Sequence, residues 1–330
     1  MTSPVPQPTA RGSITNWRKR LKILVTGGAG FIGSNFVRLA LASGHDVSVL
    51  DDLSVGDRRY LENLPLRFVQ GSILDEDLVR EEVGTHNAIV HLAAQTGVPK
   101  SLANPRGDCQ LNVLGTLNML EACRAAQQGS EGPRFVFASS NAPLGRQTPP
   151  ATEDKAPLPV SPYGASKLAG EAYCLAYHGS WGLGTVALRF GNVYGPFSAH
   201  KTSVVAKFLD DIETTGSIVI DGDGLQTRDF IYVEDLARAL LAALESPVKG
   251  EVFQISAGTE TTIQALSELI EAVVGQKVNS THSEARAGDV RRNYSLIAKA
   301  TTMLGWKPQV SLEDGLRRTY EWRLDWKSRQ

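Results

Sequence analysis

The stretch that most constrains this chain runs from residue 22 to residue 35. K-I-L-V-T-G is an apolar run of strand length, and G-G-A-G-F-I-G-S-N follows it directly. Phe36, Val37, Leu39 and Ala40 then recur at helical spacing. A buried strand that turns through glycines into a helix builds one kind of site. Gly27 permits a tight turn, Gly30 lets backbone approach a pyrophosphate, and Gly33 lets helix and strand pack closely. The helix start offers free N–H groups and a partial positive charge to the phosphates. The next apolar run, D-V-S-V-L, ends in Asp51 and Asp52. A carboxylate there can accept both hydroxyls of an adenosine ribose and would repel a 2′-phosphate, so the expected cofactor is NAD.

The alternation continues. Residues 66–70, 88–94, 134–140 and 184–191 read as strands, with helical patterns between them. In the 110–125 pattern, Leu111, Leu114, Leu117 and Leu120 are expected to share an apolar face. Strands alternating with helices imply an α/β fold of Rossmann type, a doubly wound parallel sheet whose ligands bind beyond the carboxyl ends of the strands. Two further strand ends then fall beside the glycine loop: Ala93-Ala94-Gln95, where small residues admit a flat ring, and Ser139-Ser140-Asn141, where Ser140 can bond a substrate oxygen.

Between residues 161 and 171 the chain reads S-P-Y-G-A-S-K-L-A-G-E. Tyr163 and Lys167 are four apart and share a helix face. A phenol is a poor base at neutral pH, and a nearby ammonium favours the phenolate. The spacing alone is common on surface helices; its position after the other two strand ends gives it weight.

After Gly195-Pro196 the chain becomes loop-rich to residue 229, apart from the short run 217–220. Phe230 to Leu244 reads as a strand turning into a helix, 252–256 as a return to the sheet, and 262–274 as an amphipathic helix ending at Gly275. The expected division is a disordered lead-in over 1–20, an NAD-binding domain over 21–196 with returns near 228–258, and a smaller C-terminal α/β substrate domain over 197–330. Arg286, Arg291 and Arg292 concentrate positive charge that suits a diphosphate.

Composition narrows the class. A net charge of −1 gives no bias toward nucleic acid or an anionic membrane surface, and no apolar run reaches membrane-spanning length. Cys109, Cys123 and Cys174 form no C-x-x-C, so no metal site or disulfide framework is expected. A cytoplasmic protein is the expected setting.

With T-G-G-A-G-F-I-G-S, H-L-A-A, N-V-L-G-T, S-P-Y-G-A-S-K, L-R-F-G-N-V-Y-G-P and R-D-F-I-Y-V-E-D in place, the chain from about 22 to 325 resembles the extended short-chain dehydrogenase/reductases. Among them it looks most like the UDP-sugar 4-epimerases. The resemblance implies tightly held NAD, a UDP-sugar substrate, and a homodimer through the helices near 105–125 and 163–178. It makes Tyr163 the base at the sugar 4-hydroxyl, Lys167 the group that bonds the nicotinamide ribose and lowers the tyrosine pKa, and Ser140 the holder of the 4-oxygen. Phe31, Ile32, Ser72, Ile73 and Asn112 join the cofactor set, Asn112 as a support for the catalytic helix region. Lys100, Asn141, Asn192, Val204, Arg228, Arg286, Asp289 and Asn293 form the substrate set. The related 4,6-dehydratases carry an acidic pair where this chain has Asn141 and Ala142, which cannot eliminate water. Three departures stand out. Pro143-Leu144-Gly145 replaces the frequent V-Y-G, Ser72 replaces a frequent acidic residue, and Asn293 occupies the position that gates sugar size. A UDP-glucuronate 4-epimerase, with His200 to Ser203 near the carboxylate, remains open. So do a sugar dehydrogenase or reductase and a non-catalytic nucleotide sensor.

Overall fold

Apolar strands that are buried on both faces need helices on both sides. The computed structural model, which describes residues 20–127, 131–285 and 291–329, has that arrangement. Seven parallel strands form the central sheet, in the order Glu251–Ile255, Thr185–Phe190, Arg134–Ser140, Ala88–His91, Lys22–Thr26, Asp46–Asp51, Arg67–Gln70. Val25 pairs with Val49 on one side and Val90 on the other. The order reverses at the Lys22–Thr26 strand, so a crevice opens beyond its carboxyl end. The expected Rossmann-type sheet is present, and the run near 252–256 does rejoin it as an edge strand.

Alternation along each strand sends side chains into two cores. Ile23, Val25, Val49 and Val90 pack with Phe36 and Leu240 from the Phe31–Ala42 and Val233–Glu245 helices. Leu24, Ile89, Phe135 and Phe137 pack with Val79, Met119 and Cys174 from helices on the opposite face. A third apolar cluster joins Phe208, Ile218, Ile220, Phe230, Leu266 and Leu316 beyond the strand ends.

Some expectations need correction. The strand at 88–94 ends at His91, which frees residues 92–95 to line the crevice. The 110–125 helix is two pieces: Gln110–Leu114 is a π-turn and Gly115–Ala125 is α-helical. The extra residue per turn in a π-segment shifts the phase of the α-helix beyond it. Leu120 is therefore buried while Leu114 is half exposed. Asn279–Ser283 forms an exposed strand parallel to Ser217–Asp221, which its polar sequence does not announce. The lead-in over 1–19 lies outside the described residues. Among the described residues, no helix is long and apolar enough to cross a membrane.

Asp229 holds the segments around the crevice together. Its fully buried carboxylate accepts from the backbone N–H groups of Ala257 at 2.9 Å, Gly258 at 3.2 Å and Ser295 at 3.1 Å. Removing it leaves three backbone donors without their acceptor, the Ser295 N–H fully buried. Asp229→Ala is expected to lower stability by on the order of 3–5 kcal/mol, read by urea denaturation, with no change in the denaturant slope.

Candidate active site

The glycine loop has no room for side chains. Gly27 adopts φ +69°, and its N–H donates to the Leu50 carbonyl at 2.9 Å. A Cβ on Gly33 would lie 2.3 Å from the Gly27 carbonyl oxygen, and one on Gly27 would lie 2.7 Å from the Ala93 nitrogen. The Asp51 carboxylate accepts from the N–H groups of Ala29 and Leu53, each at 2.9 Å. Burial raises its pKa, with a smaller push from Asp52, against those two bonds. Gly27, Gly30, Phe31, Ile32 and Gly33 line a cleft of about 320 Å³ with Asp51, Ser72 and Ile73. Ala93, Ala94 and Gln95 complete its floor, and Tyr163 and Lys167 close its far end. The cradle fits a dinucleotide: backbone N–H groups at a helix start, a carboxylate at the end of the second strand, and glycines where any side chain would fill the space.

The Pro162–Trp181 helix starts at Ser161, whose hydroxyl accepts from the Gly164 N–H at 3.1 Å. This cap, with proline in the first turn, fixes the helix start beside the Arg134–Ser140 strand end. Tyr163 is partly buried and hydrogen-bonded to Ser140. Lys167 is buried; its ammonium donates to the Ala138 carbonyl at 2.9 Å and lies 4.9 Å from the Phe137 ring centroid. Burial pushes the phenol up to about 12, against the Ser140 bond, which lowers it. Burial also pushes the Lys167 ammonium down to about 8, opposed by Asp108 and Glu171. The expected lowering of the phenol pKa is therefore absent in the free protein: desolvation outweighs its neighbours. A positive charge arriving beside the phenol is what this arrangement lacks for forming the phenolate.

A second cavity of about 440 Å³ meets the first at Tyr163. Ser140, Asn192, Val204 and Arg228 line it, as the sequence leads one to expect. Other assignments move. Lys100 lines the cofactor cleft, not the second cavity. Asn112 lines neither; its amide accepts from the Gln95 N–H at 2.8 Å and donates to the Gln95 carbonyl at 3.0 Å, behind the cleft floor. Asn141 turns away, donating to the Ser295 hydroxyl at 3.1 Å, and the Asn293 N–H is tied to Thr227 at 3.3 Å. Neither residue lines either cavity. Arg286 and Asp289 lie outside the described residues.

Beside Ser140, Ala142–Leu144 make a 3-10 turn closed by Gly145 at φ +65°. A Cβ on Gly145 would lie 1.8 Å from the Leu158 carbonyl oxygen. Lys201 lines both cavities, with its ammonium 5.7 Å from the Phe31 ring centroid. Burial and Lys100 lower its pKa. Thr96, Phe190 and Gln226 also line the cavities; Phe190 lies within the L-R-F-G-N-V-Y-G-P run, while nothing in the local pattern marks Thr96 or Gln226. No group of three or more His, Cys, Asp or Glu among the described residues could hold a metal ion.

A dinucleotide cleft and a second cavity that meet at a Ser–Tyr–Lys cluster define an NAD-dependent enzyme. Residues 23–256 match the NAD dependent epimerase/dehydratase family, and the chain belongs to that family. It is similar to the dTDP-glucose 4,6-dehydratase of Streptomyces niveus, with 37% identity over 92% of this chain and 93% of the relative. The UDP-glucose 4-epimerase of Thermotoga maritima, solved with UDP-glucose, superimposes with a TM-score of 0.86 at 37% identity, covering 93% of this chain and 99% of that one. The UDP-glucose 4-epimerase of Thermus thermophilus, solved with NAD, gives 0.83 at 34% identity, covering 91% and 98%.

Gly33→Ala tests the cradle. The variant is expected to purify with less than about a tenth of the NAD content of the wild-type protein, measured chromatographically after denaturation.

Proposed function

We propose that this protein is a UDP-sugar 4-epimerase, inverting C4 through a 4-keto sugar. The reading rests above all on the Ser140–Tyr163 pair at the junction of the two cavities, with Asn141 and Ala142 beside it in place of carboxylates. Elimination across C5 and C6 needs an acid and a base there. Asn141 supplies neither and is committed to Ser295, while the Ala142 N–H merely donates to the Ser140 hydroxyl at 3.2 Å. Inversion at C4 needs only one proton carrier.

In the forward half-reaction the Tyr163 oxygen removes the 4-hydroxyl proton while Ser140 bonds the same oxygen. Lys167 stabilises the phenolate that starts this step and holds the helix against Ala138. NAD, when bound in the cleft, would supply the acceptor and donor for the C4 hydride. Between the two half-reactions the sugar must turn over. We assign the nucleotide end to the part of the second cavity lined by Asn192, Val204, Arg228 and Phe230, where the third apolar cluster forms the wall. Anchoring there leaves the hexose free to rotate in front of Tyr163, which then returns the proton.

A panel of UDP-sugars, with the 4-epimers resolved by NMR, tests the assignment. Tyr163→Phe is expected to lower kcat by about 10³-fold with little change in KM, as for loss of one proton carrier. Unchanged turnover in that variant, or release of a dehydrated sugar by the wild-type protein, would sink the proposal. Lys201 favours UDP-glucuronate as a second reading, because it reaches both cavities with no ion pair to a carboxylate among the described residues. Selective turnover of UDP-glucuronate in the same panel would establish it.

We also propose a homodimer through the helices on the catalytic-helix side of the sheet. Leu102, Leu114, Tyr173, Leu175 and Trp181 are all more than a third exposed on these helices, an apolar surface that a second copy would cover. Light scattering is expected to give twice the chain mass for the wild-type protein. Leu114→Glu combined with Leu175→Glu is expected to give the monomer, and a wild-type monomer at micromolar concentration would refute the arrangement.

A further inference from the structure

The Tyr163–Lys167 pair has a buried carboxylate behind it that takes no part in the proton transfer. Asp108 sits on the short Pro105–Cys109 helix, which packs against the Pro162–Trp181 helix. It is 1% exposed. One carboxylate oxygen accepts from the Asn112 amide at 3.1 Å. That same amide nitrogen lies 3.2 Å from the Ser166 hydroxyl, which donates to the Tyr163 carbonyl at 3.1 Å. A short polar chain thus connects Asp108 to the backbone of the catalytic turn. The second carboxylate oxygen is buried and has no hydrogen-bond partner.

A buried carboxylate with a free oxygen is costly unless a positive charge lies near it. The charges in this patch can be counted. Lys167 and Arg189 are the cations, and Asp108 and Glu171 are the anions; all four are buried. Glu171 is committed to Arg189 through two bonds, at 2.9 and 2.7 Å, and also accepts from Ser139. Lys167 donates to a neutral carbonyl. Asp108 is therefore the carboxylate left to balance Lys167. The other titratable groups that face Lys167 are the buried Cys174 thiol and His91, and neither carries charge at neutral pH. Burial pushes the Cys174 thiol up, and burial with Lys167 pushes His91 down to about 3. His91 lies between the Thr26 and Thr116 hydroxyls, at 2.7 and 3.1 Å.

We propose that Asp108 is a positioning residue whose negative charge keeps Lys167 in the ammonium form beside Tyr163 and sets the pH window in which the pair works. The hydrogen bond alone does not require a carboxylate. An amide oxygen could accept from Asn112 equally well, so the charge is what distinguishes aspartate here. The directions agree with this. Asp108 raises the pKa of Lys167 against burial, and it raises that of Tyr163 as well. The working form is phenolate with ammonium, so the phenol and the ammonium together set the two limbs of the rate profile. Removing the negative charge lowers both, and the whole profile moves toward acid. A residue that only supported the backbone would change the height of the profile and leave its position alone.

The test compares Asp108→Asn with the wild-type protein, both loaded with NAD. Two quantities are read: the pH dependence of kcat on the UDP-sugar that the protein turns over, and ionisation of the Tyr163 phenol by ultraviolet difference spectroscopy, with Tyr163→Phe as the blank. The optimum and the phenol midpoint are both expected to fall by about one pH unit in Asp108→Asn. Asp108→Glu is expected to bring both back toward the wild-type position. If Asp108→Asn does not yield folded protein, Asp108→Ser is expected to show the same shift. Profiles that keep their position, whatever their height, overturn the proposal. It rests on the catalytic reading of Tyr163 as the proton carrier. The phenol titration separates the two: a wild-type protein that epimerises no UDP-sugar defeats that reading, while the phenol midpoint still decides the role of Asp108.

Discussion

The helix that carries Tyr163 and Lys167 is pinned to the sheet above all by a bidentate ion pair. Glu171 lies two turns beyond Tyr163 and one beyond Lys167, so the three share a helix face. Arg189 rises from the neighbouring strand to grip Glu171, and Ser139 bonds the same carboxylate from the strand between. Both partners are nearly inaccessible to water. A buried pair of this kind need not add net stability, because desolvating two charges offsets their attraction. What it adds is registry. Sliding the helix by one residue would break a planar two-point contact and strand two charges in a low-dielectric interior. The tyrosine oxygen is thereby fixed relative to Ser140 through the same strand that carries Ser139.

That fixity comes with burial, which disfavours the charged forms of both Tyr163 and Lys167. Desolvation raises the phenol and lowers the ammonium, which is the direction that disfavours the charged pair on both counts. The arrangement makes chemical sense if the missing stabilisation arrives with the ligands. A cationic ring beside the phenol would supply it at the moment a substrate hydroxyl is in place, and the base would be silent otherwise.

Much of the site is legible in the sequence because it is local. The glycine loop, the acidic end of the second strand and the Tyr–Lys spacing each express a backbone or side-chain requirement within a few residues, and each lands on the cleft. The misplaced residues depend on geometry that spacing does not carry. A helical period puts Leu114 on the apolar face, and the π-turn at Gln110–Leu114 interrupts that period. Lys100 falls in the cofactor cleft because the chain after His91 bends over that side of the crevice, which no periodicity reports. Asn141 adjoins Ser140 in sequence, yet it faces Ser295, more than 150 residues away. The Asn279–Ser283 strand is exposed at every position and so has no apolar pattern to detect. Overall similarity does not choose between the reactions of the family either, since the Streptomyces niveus dehydratase and the Thermotoga maritima epimerase are each 37% identical to this chain. The proposed reading takes that choice from the residues beside Ser140, Asn141 and Ala142.

The turn at Gly145 has a consequence for reshaping the pocket. With a positive φ and a carbonyl oxygen inside the volume of any β-carbon, this position is closed to every other residue, and the Ala142–Leu144 segment inherits its rigidity. Thr202 and Ser203 line the second cavity and are exposed, and the Ser203 side chain makes no capping bond to the helix it precedes. Variation aimed at a different sugar therefore has a turn next to Ser140 that it must leave alone and a cavity lining at Thr202 and Ser203 that it can change. A library confined to Thr202 and Ser203 would change the shape of the space while leaving Ser140 and Tyr163 in register.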